Sequence, residues 1–376
     1  MQTVLNVKRY PGNPILGPNP DLPWGGHEAR NPGVIFDGNQ FHMVFTARPE
    51  PSNGEIYLGH AVSNDGIHFD TDPEPLLRPD PNPDSFDHAN VEDARVTELD
   101  GKYYIAYAGR SLNLNDYSAG KRRVGPNGNI NPTWTDNYRR GGFAETTDWK
   151  TVKRLGPCTS EHIHDANIVL FPEKINGKYA ILHRPTAYIP WTLPAFYHPS
   201  SIWLAYVDEL GPICSNAREM PWDMKDGIDI PDDHMLITAA FEWENFMKVG
   251  ASGVPIPTDD GWLMFYHAVD RMGVYRVGLL LLDRENPLKV IGRSPLPLME
   301  PETEYENLGV ENFHKLHCFP YCVFPCANLV VGDEIWLYYG AADIYTCLAT
   351  LKFKDAMDYI TSPVCREAAK MPPLRY

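Results

Sequence analysis

A chain of 376 residues, 43% of them hydrophobic, can bury a substantial core and is globular rather than disordered. Its net charge of −16 leaves no clustered basic face for nucleic acid, KRR at 121–123 being the only strong basic run. No stretch approaches the roughly 18 apolar residues that span a bilayer, and 12% aromatics with 35 prolines favour strands and loops over long helices.

The N-terminal stretch MQTVLNVKRYPGNPIL lacks the apolar run of a signal peptide. Seven cysteines, an odd number, suit a reducing compartment, so a cytoplasmic location is expected. TVLNV reads as a strand that can pair with the last structural unit.

Five copies of one unit follow. DGNQFHMVFTAR begins at Asp37, DGKYYIAYAGR at Asp100, NGKYAILHRP at Asn176, DGWLMFYHAVD at Asp260 and GDEIWLYYGAAD at Gly332. Each joins a turn glycine to an aromatic-rich run of period two, the pattern of a hairpin entering a strand. Each is preceded by another apolar strand: GVIF, ARVTEL, NIVLF, GVPIP and ANLVV. IYLGHAVS, GGFAETT, SIWLAYV and YRVGLLLLD supply third strands, and polar turns such as NDGIHF and TDWKTV lead into fourth ones.

Four strands per unit and five units predict an all-β chain, a five-bladed β-propeller with long inter-strand loops forming one domain over residues 1–376. A two-sheet sandwich fits five spaced copies poorly. The loops are 111–140 and the proline-rich 185–200, which offer a binding wall or a homo-oligomer contact. HKLHCFPYCVFPC gathers His314, His317, Cys318, Cys322 and Cys326. On an extended strand the three cysteines share a face too long for one metal ion, so packed thiols are expected. KDAMDY (354–359) reads as a short helix in a C-terminal tail, 353–376.

Polar groups recur at matching places in the repeats. The strand after each turn glycine ends in Arg48, Arg110, Arg184, His267 with Asp270, or Asp343. The strand before it opens on Arg30 and Asn31, Glu92 and Asp93, Asp165 and Asn167, or Glu244 and Lys248. A charge at one strand end is ordinarily just solvated. Fivefold repetition instead aims these ends at one axial pocket.

NPGVIFDG, VEDARVTELDGKYYIAYAG, VLFPEKINGKYAILHRP, GWLMFYHAVD and WLYYGAAD together resemble glycoside hydrolase family 130, in order and over nearly the whole chain. That family comprises β-mannoside phosphorylases and β-1,2-mannosidases on a five-bladed propeller. The resemblance implies that Asp93 is the general acid, its proton passing through a sugar hydroxyl in the phosphorylases. Protonation of the leaving oxygen calls for a carboxyl kept protonated by burial or like charge, which Glu92 is expected to help supply.

A phosphorylase also needs fixed cations for phosphate. The resemblance assigns these to Arg140, Arg184 and His267, while Ala166 stands where many phosphorylases have a lysine; His162, His164 and Lys248 are the cations that can compensate. In a hydrolase a carboxylate activates water, and Glu244 is the candidate base. Substrate contacts fall to Asn31, Arg48, Glu92, Asp165, Asp343 and Tyr188, the last in a loop whose Trp191 and Tyr197 can also stack on sugar. The expected reaction is inverting cleavage of β-mannosidic linkages in manno-oligosaccharides, by phosphorolysis to α-mannose 1-phosphate. The alternatives are hydrolysis and a catalytically inactive sugar-binding or interaction propeller. Inorganic phosphate is the expected co-substrate, with no metal or organic cofactor and no nucleic-acid or membrane partner.

Overall fold

The computed structural model describes residues 5–50, 54–113, 116–117, 119–121, 137, 139–159, 164–185, 200–211, 232–309 and 318–374. A short strand β1 (Lys8–Arg9) precedes a sheet of β2 (Glu28–Phe36), β3 (Phe41–Arg48), β4 (Tyr57–Ser63) and β5 (Asp70–Thr71). The second sheet is β6 (Asn90–Leu99), β7 (Lys102–Arg110), β8 (Arg140–Thr146) and β9 (Lys153–Pro157), and the third β10 (Asp165–Leu170), β11 (Tyr179–Pro185), β12 (Ile202–Val207) and β13 (Asp233–Ile237). The fourth contains β14 (Phe246–Ala251), β15 (Ile256–Thr258), β16 (Gly261–Asp270), β17 (Tyr275–Leu282) and β18 (Val290–Arg293). The last is β19 (Val323–Val331), β20 (Glu334–Ala341) and β21 (Tyr345–Lys352), completed on its outer edge by β1.

All strand pairs are antiparallel, and spatial order follows chain order within each sheet except where β1 joins the edge of β21 and β15 shares β16 with β14. The turn glycines identified in sequence, Gly38, Gly101, Gly177, Gly261 and Gly332, all have positive φ, which a side chain would resist. In the fourth blade GVPIP is not a whole strand. The innermost strand is split, β14 and β15 both pairing with β16, and the interruption at 252–255 ends on Pro255, which has no N–H to give a ladder. The strand that reaches the last blade is Lys8–Arg9 and not the expected TVLNV (3–7), of which only residues 5–7 are described and none is in a strand; Lys8 stands opposite Thr350 and Arg9 opposite Ala349.

One sheet cannot bury both its faces alone, and the core shows how five of them do so. Five hydrophobic clusters each draw from two neighbouring blades: Val44 with Ile105, Ala106 with Leu182's neighbour Ile181, Leu204 with Met264, Phe265 with Leu337, and Phe45 with Tyr338. The fifth cluster joins the last blade to the first, so the ring closes. Trp262, Phe265 and Tyr338 are fully buried, each worth about 1.5–3 kcal/mol, but only when the next blade packs over it.

The C-terminal segment forms two helices, α1 (Phe353–Ile360) and α2 (Pro363–Ala368), whose Ala356, Ile360 and Cys365 enter the cluster between the fourth and fifth blades. The second helix was not expected. Its signal is Ser362, whose hydroxyl accepts from Cys365 N–H, followed by Pro363 in the first helical turn. The cysteine stretch also differs from expectation: Cys318 and Cys322 precede β19 and only Cys326 lies on it, although all three are buried. His314 and His317 lie outside the described residues. No helix among the described residues is long and apolar enough to cross a membrane.

Candidate active site

The innermost strand of every blade carries an irregularity in its pairing: between Arg30 and Gly33, Glu92 and Arg95, Ala166 and Val169, Phe246 and Lys248, and Pro325 and Ala327. A bulge rotates side chains out of the regular alternation and re-aims them. Asn31, Asp93 and Asn167 occupy equivalent places in three blades, with φ of 53°, 60° and 57°. Left-handed backbone at non-glycine residues is costly, and repeating it in three blades is a mark of a built site. Room for two of these side chains comes from missing Cβ atoms. A Cβ on Gly340 would stand 2.0 Å from Asn31 Oδ1, and one on Gly250 2.5 Å from Asn167 Oδ1.

Asp93 is buried at this hub. Asn31 Nδ2 donates to its Oδ1 at 2.7 Å, Arg30 lies 3.4 Å from the same oxygen, and its own N–H donates to Thr46 Oγ1 at 2.8 Å. Burial favours its neutral form, but Arg30, Arg139 and Arg95 outweigh burial and hold it down at about 2. The expectation of a carboxyl kept protonated is therefore overturned for the ligand-free pocket. Glu92 does not act as a like charge pressing on Asp93. It is the counter-ion of Arg139 at 2.8 Å, Arg30 at 3.5 Å and Arg110 at 3.8 Å.

Arg30 is the common partner of the carboxylates, reaching Glu28 at 3.1 Å and Asp343 at 3.6 Å besides Glu92 and Asp93. Burial opposes its charge, yet these four anions keep it raised well above its ordinary value. Arg48 joins the group indirectly, through a 2.5 Å contact to Glu28. Burial raises Asp343, another left-handed residue with φ of 57°.

The opposite wall is cationic. Burial and Arg139 lower Arg110 to about 10; burial and the nearby Arg139 likewise bring Arg184 to about 10, despite the opposing pull of Tyr275. Lys248, half-buried, is lowered to about 7 by burial, Arg184 and Arg139. Burial, Arg184 and Lys248 push His267 well below its usual value, so it is neutral, and its Nε2 is buried with no partner among the described residues. Burial, Arg139 and Arg110 push His164 down in the same way. Cations that depress one another form a site short of negative charge.

Three assignments need correction. Arg140 turns away from this wall: it donates to Thr159 O at 2.9 Å and lies over the Phe86 ring. Its neighbour Arg139 faces the axis instead, because consecutive residues entering a strand point to opposite sides. Glu244 sits in a closed cage between blades. Its carboxylate accepts from the N–H groups of Ala240 and Phe241, from Tyr266 OH at 2.6 Å and from Arg293 at 2.7 Å, which leaves no lone pair to activate water. Asp165 is likewise consumed. One oxygen takes the N–H groups of Ala166 and Arg184, the other contacts His183 Nδ1 at 2.7 Å, and His183 Nε2 contacts Asp233 at 3.1 Å. Asn167, two residues on, faces the pocket and accepts from Arg184 Nε at 2.6 Å. Tyr188, Trp191, Tyr197 and His162 lie outside the described residues.

The Asp165–His183–Asp233 contact has a consequence for stability. Burial disfavours the imidazolium, but the two carboxylates raise His183 from 6.5 to about 10. A raised folded value means the stabilisation is complete below about pH 6.5 and lost as pH climbs through about 10. Urea unfolding should show falling stability across that interval, with His183→Gln flattening the slope. A stability curve that is level there in the native chain would contradict the charge assignment.

Asp93 is thus held among Arg30 of the first blade and Arg95 and Arg139 of its own, and comparison with known proteins gives the family. The Glyco_hydro_130 family model, described as beta-1,4-mannooligosaccharide phosphorylase, matches residues 19–124 and 127–362. The chain belongs to glycoside hydrolase family 130. It is 33% identical to a 1,2-beta-oligomannan phosphorylase from Thermoanaerobacter sp. strain X514, over 94% of this chain and 99% of that protein. It is 31% identical to a beta-1,2-mannobiose phosphorylase from the same organism, over 93% and 98% of the two chains. Among solved structures, the beta-1,2-mannobiose phosphorylase of Listeria innocua superposes with a TM-score of 0.70 at 22% identity, over 95% of this chain and 99% of that one, and confirms the propeller fold. The family 130 relatives are thus glycoside phosphorylases acting on β-linked manno-oligosaccharides.

Proposed function

We propose that this family 130 protein is an inverting phosphorylase of β-1,2-linked manno-oligosaccharides that releases α-mannose 1-phosphate. The observation that carries the reading is the cationic wall. Arg110, Arg184 and Lys248 are all depressed by burial and by neighbouring cations, and a bound dianion relieves that repulsion. The β-1,2 linkage follows the names of the two relatives above 30% identity.

In the proposed step a hydrogen phosphate oxygen attacks the anomeric carbon from the side opposite the leaving group. The glycosidic C–O bond breaks, the leaving oxygen takes a proton, and phosphate ends bonded to mannose in the α configuration. Hydrogen phosphate supplies, on balance, both the nucleophile and that proton. Asp93 is the acid through which the proton passes. Anionic in the empty pocket, it regains a proton once phosphate offsets the field of Arg30, Arg139 and Arg95 that holds it down. Asn31, Arg48 and Asp343 remain the proposed sugar ligands, and Glu92 serves by orienting Arg30 and Arg139. An acid and an anionic nucleophile suffice for this displacement, so phosphate is proposed as co-substrate without metal or organic cofactor. The six described cysteines are all buried, in keeping with the proposed reducing, cytoplasmic setting.

The test is β-1,2-mannobiose incubated with and without inorganic phosphate. Mannose 1-phosphate should accumulate only with phosphate. Free mannose released at the same rate in its absence would replace phosphorolysis by hydrolysis.

A further inference from the structure

The bulge that turns Asp93 toward the axis ends on Arg95, a fully buried side chain of β6. Its Nη1 donates to the carbonyl oxygen of Asp93 at 2.6 Å and its Nε to Ser252 O at 3.0 Å. Its guanidinium carbon stands 5.2 Å from the centroid of the Phe324 ring. Ser252 follows β14 of the fourth blade and Phe324 lies on β19 of the fifth. Neither blade is next to the second in a ring of five, so a side chain of β6 that reaches both crosses the centre. The first blade closes in from another side, where a Cβ on Gly33 would stand 2.9 Å from Ala94 O and 3.2 Å from Arg95 Cα. Arg30 and Arg139 have carboxylates upon them, whereas Arg95 meets carbonyl oxygens and an aromatic face. Its Nη2 is buried with no partner among the described residues. A neutral side chain of similar shape would brace the axis with less loss of hydration, so the charge calls for another explanation.

We infer that Arg95 is the positioning residue of the proton donor, fixing the Asp93 carbonyl and so the turn that presents the carboxyl, while its charge keeps that carboxyl a ready donor. The inference rests on Asp93 being the acid of the proposed reaction. A φ of 60° is costly for an aspartate and must be held from outside. Both backbone polar groups of Asp93 are held by side chains: its N–H by Thr46 Oγ1 at 2.8 Å and its carbonyl by Arg95. A guanidinium does not give up its proton, so its field on Asp93 is the same at every working pH. A carboxyl with lowered proton affinity parts with its proton more easily at the leaving oxygen. The other titratable groups facing the pair are Arg30 of β2, Arg139 before β8, His267 of β16, Cys326 of β19 and Asp343 after β20. Both arginines stay charged, His267 is neutral, and burial pushes the Cys326 thiol up to about 12.

The test is the pH profile of kcat at saturating mannobiose and phosphate. Arg95→Gln keeps an amide for the carbonyl oxygens but no charge. It should lower kcat about tenfold or more and carry the alkaline limb upward by about one pH unit. The limb rises because a carboxyl freed from a neighbouring cation holds its proton to higher pH. The displacement from the native limb is the readout, since phosphate and Lys248 titrate in both proteins. Arg95→Lys keeps a charge without the fork, and should lower kcat about tenfold with the limb in its native place. An unmoved limb in Arg95→Gln, or an equal displacement in both variants, would overturn the inference. If Arg95→Gln does not fold, Arg95→Lys decides, and native kcat per folded molecule overturns it. Any of these results leaves Asp93 as the acid so long as Asp93→Asn is inactive. An active Asp93→Asn would remove the acid assignment, and this role with it.

Discussion

Asp93→Asn is expected to lower kcat for phosphorolysis by about 10²–10⁴-fold while leaving the fold in place. The amide keeps the shape of the carboxylate, and its oxygen still accepts from Asn31 Nδ2, the 2.7 Å contact of the native site. The backbone N–H to Thr46 Oγ1 bond and the left-handed φ of 60° do not depend on the side-chain charge. What is lost is the group that passes a proton to the leaving oxygen. KM for phosphate should not rise, because removing an anion from beside Arg30 and Arg139 makes the pocket more attractive to a dianion. Steady-state rates with mannobiose and a melting curve check both halves. Native turnover in the variant would end the acid assignment, and a collapsed fold would show Asp93 to be chiefly a counter-ion.

Glu244→Gln should do the reverse, lowering stability by about 3–5 kcal/mol with turnover per folded molecule retained. Every described contact of this carboxylate is a donor: Ala240 N–H, Phe241 N–H, Tyr266 OH and the Arg293 guanidinium. An amide must point its own NH₂ at one set of them, and it leaves Arg293 charged, buried and unpaired. Denaturant unfolding beside activity assays separates the outcomes. Lost activity at unchanged stability would return Glu244 to the chemistry as a base.

Much of the architecture was legible because it depends on local pattern. Period-two aromatic runs after a turn glycine appear five times, and each such glycine has the positive φ that its turn demands. Polar pairs at the start of each inner strand, Arg30 and Asn31 or Glu92 and Asp93, marked the pocket because alternation forbids two adjacent residues from sharing a face unless a bulge re-aims one. Arg139 was within reach of the same reasoning, being one residue from Arg140; alignment chose between them and chose the wrong phase. Asn167 and Lys248 stood among the polar strand starts, without a sequence signal to rank them above Asp165 and Glu244.

The sequence by itself determined the repeat, the five turns, the antiparallel hairpins and the family, since each rests on contacts between residues close in the chain or on motifs read in order. Only the tertiary structure decided which charges remain available for chemistry. Glu244 is neutralised by Arg293, Asp165 by His183, and Glu92 by Arg30, Arg110 and Arg139, while Arg184 and Lys248 crowd together without equivalent partners. Glu92 and Arg30 come from different blades, as do Arg184 and Lys248, and the energy of a buried charge depends on what else is brought within a few ångströms of it. That cannot be counted along a strand, because it exists only after the ring has closed.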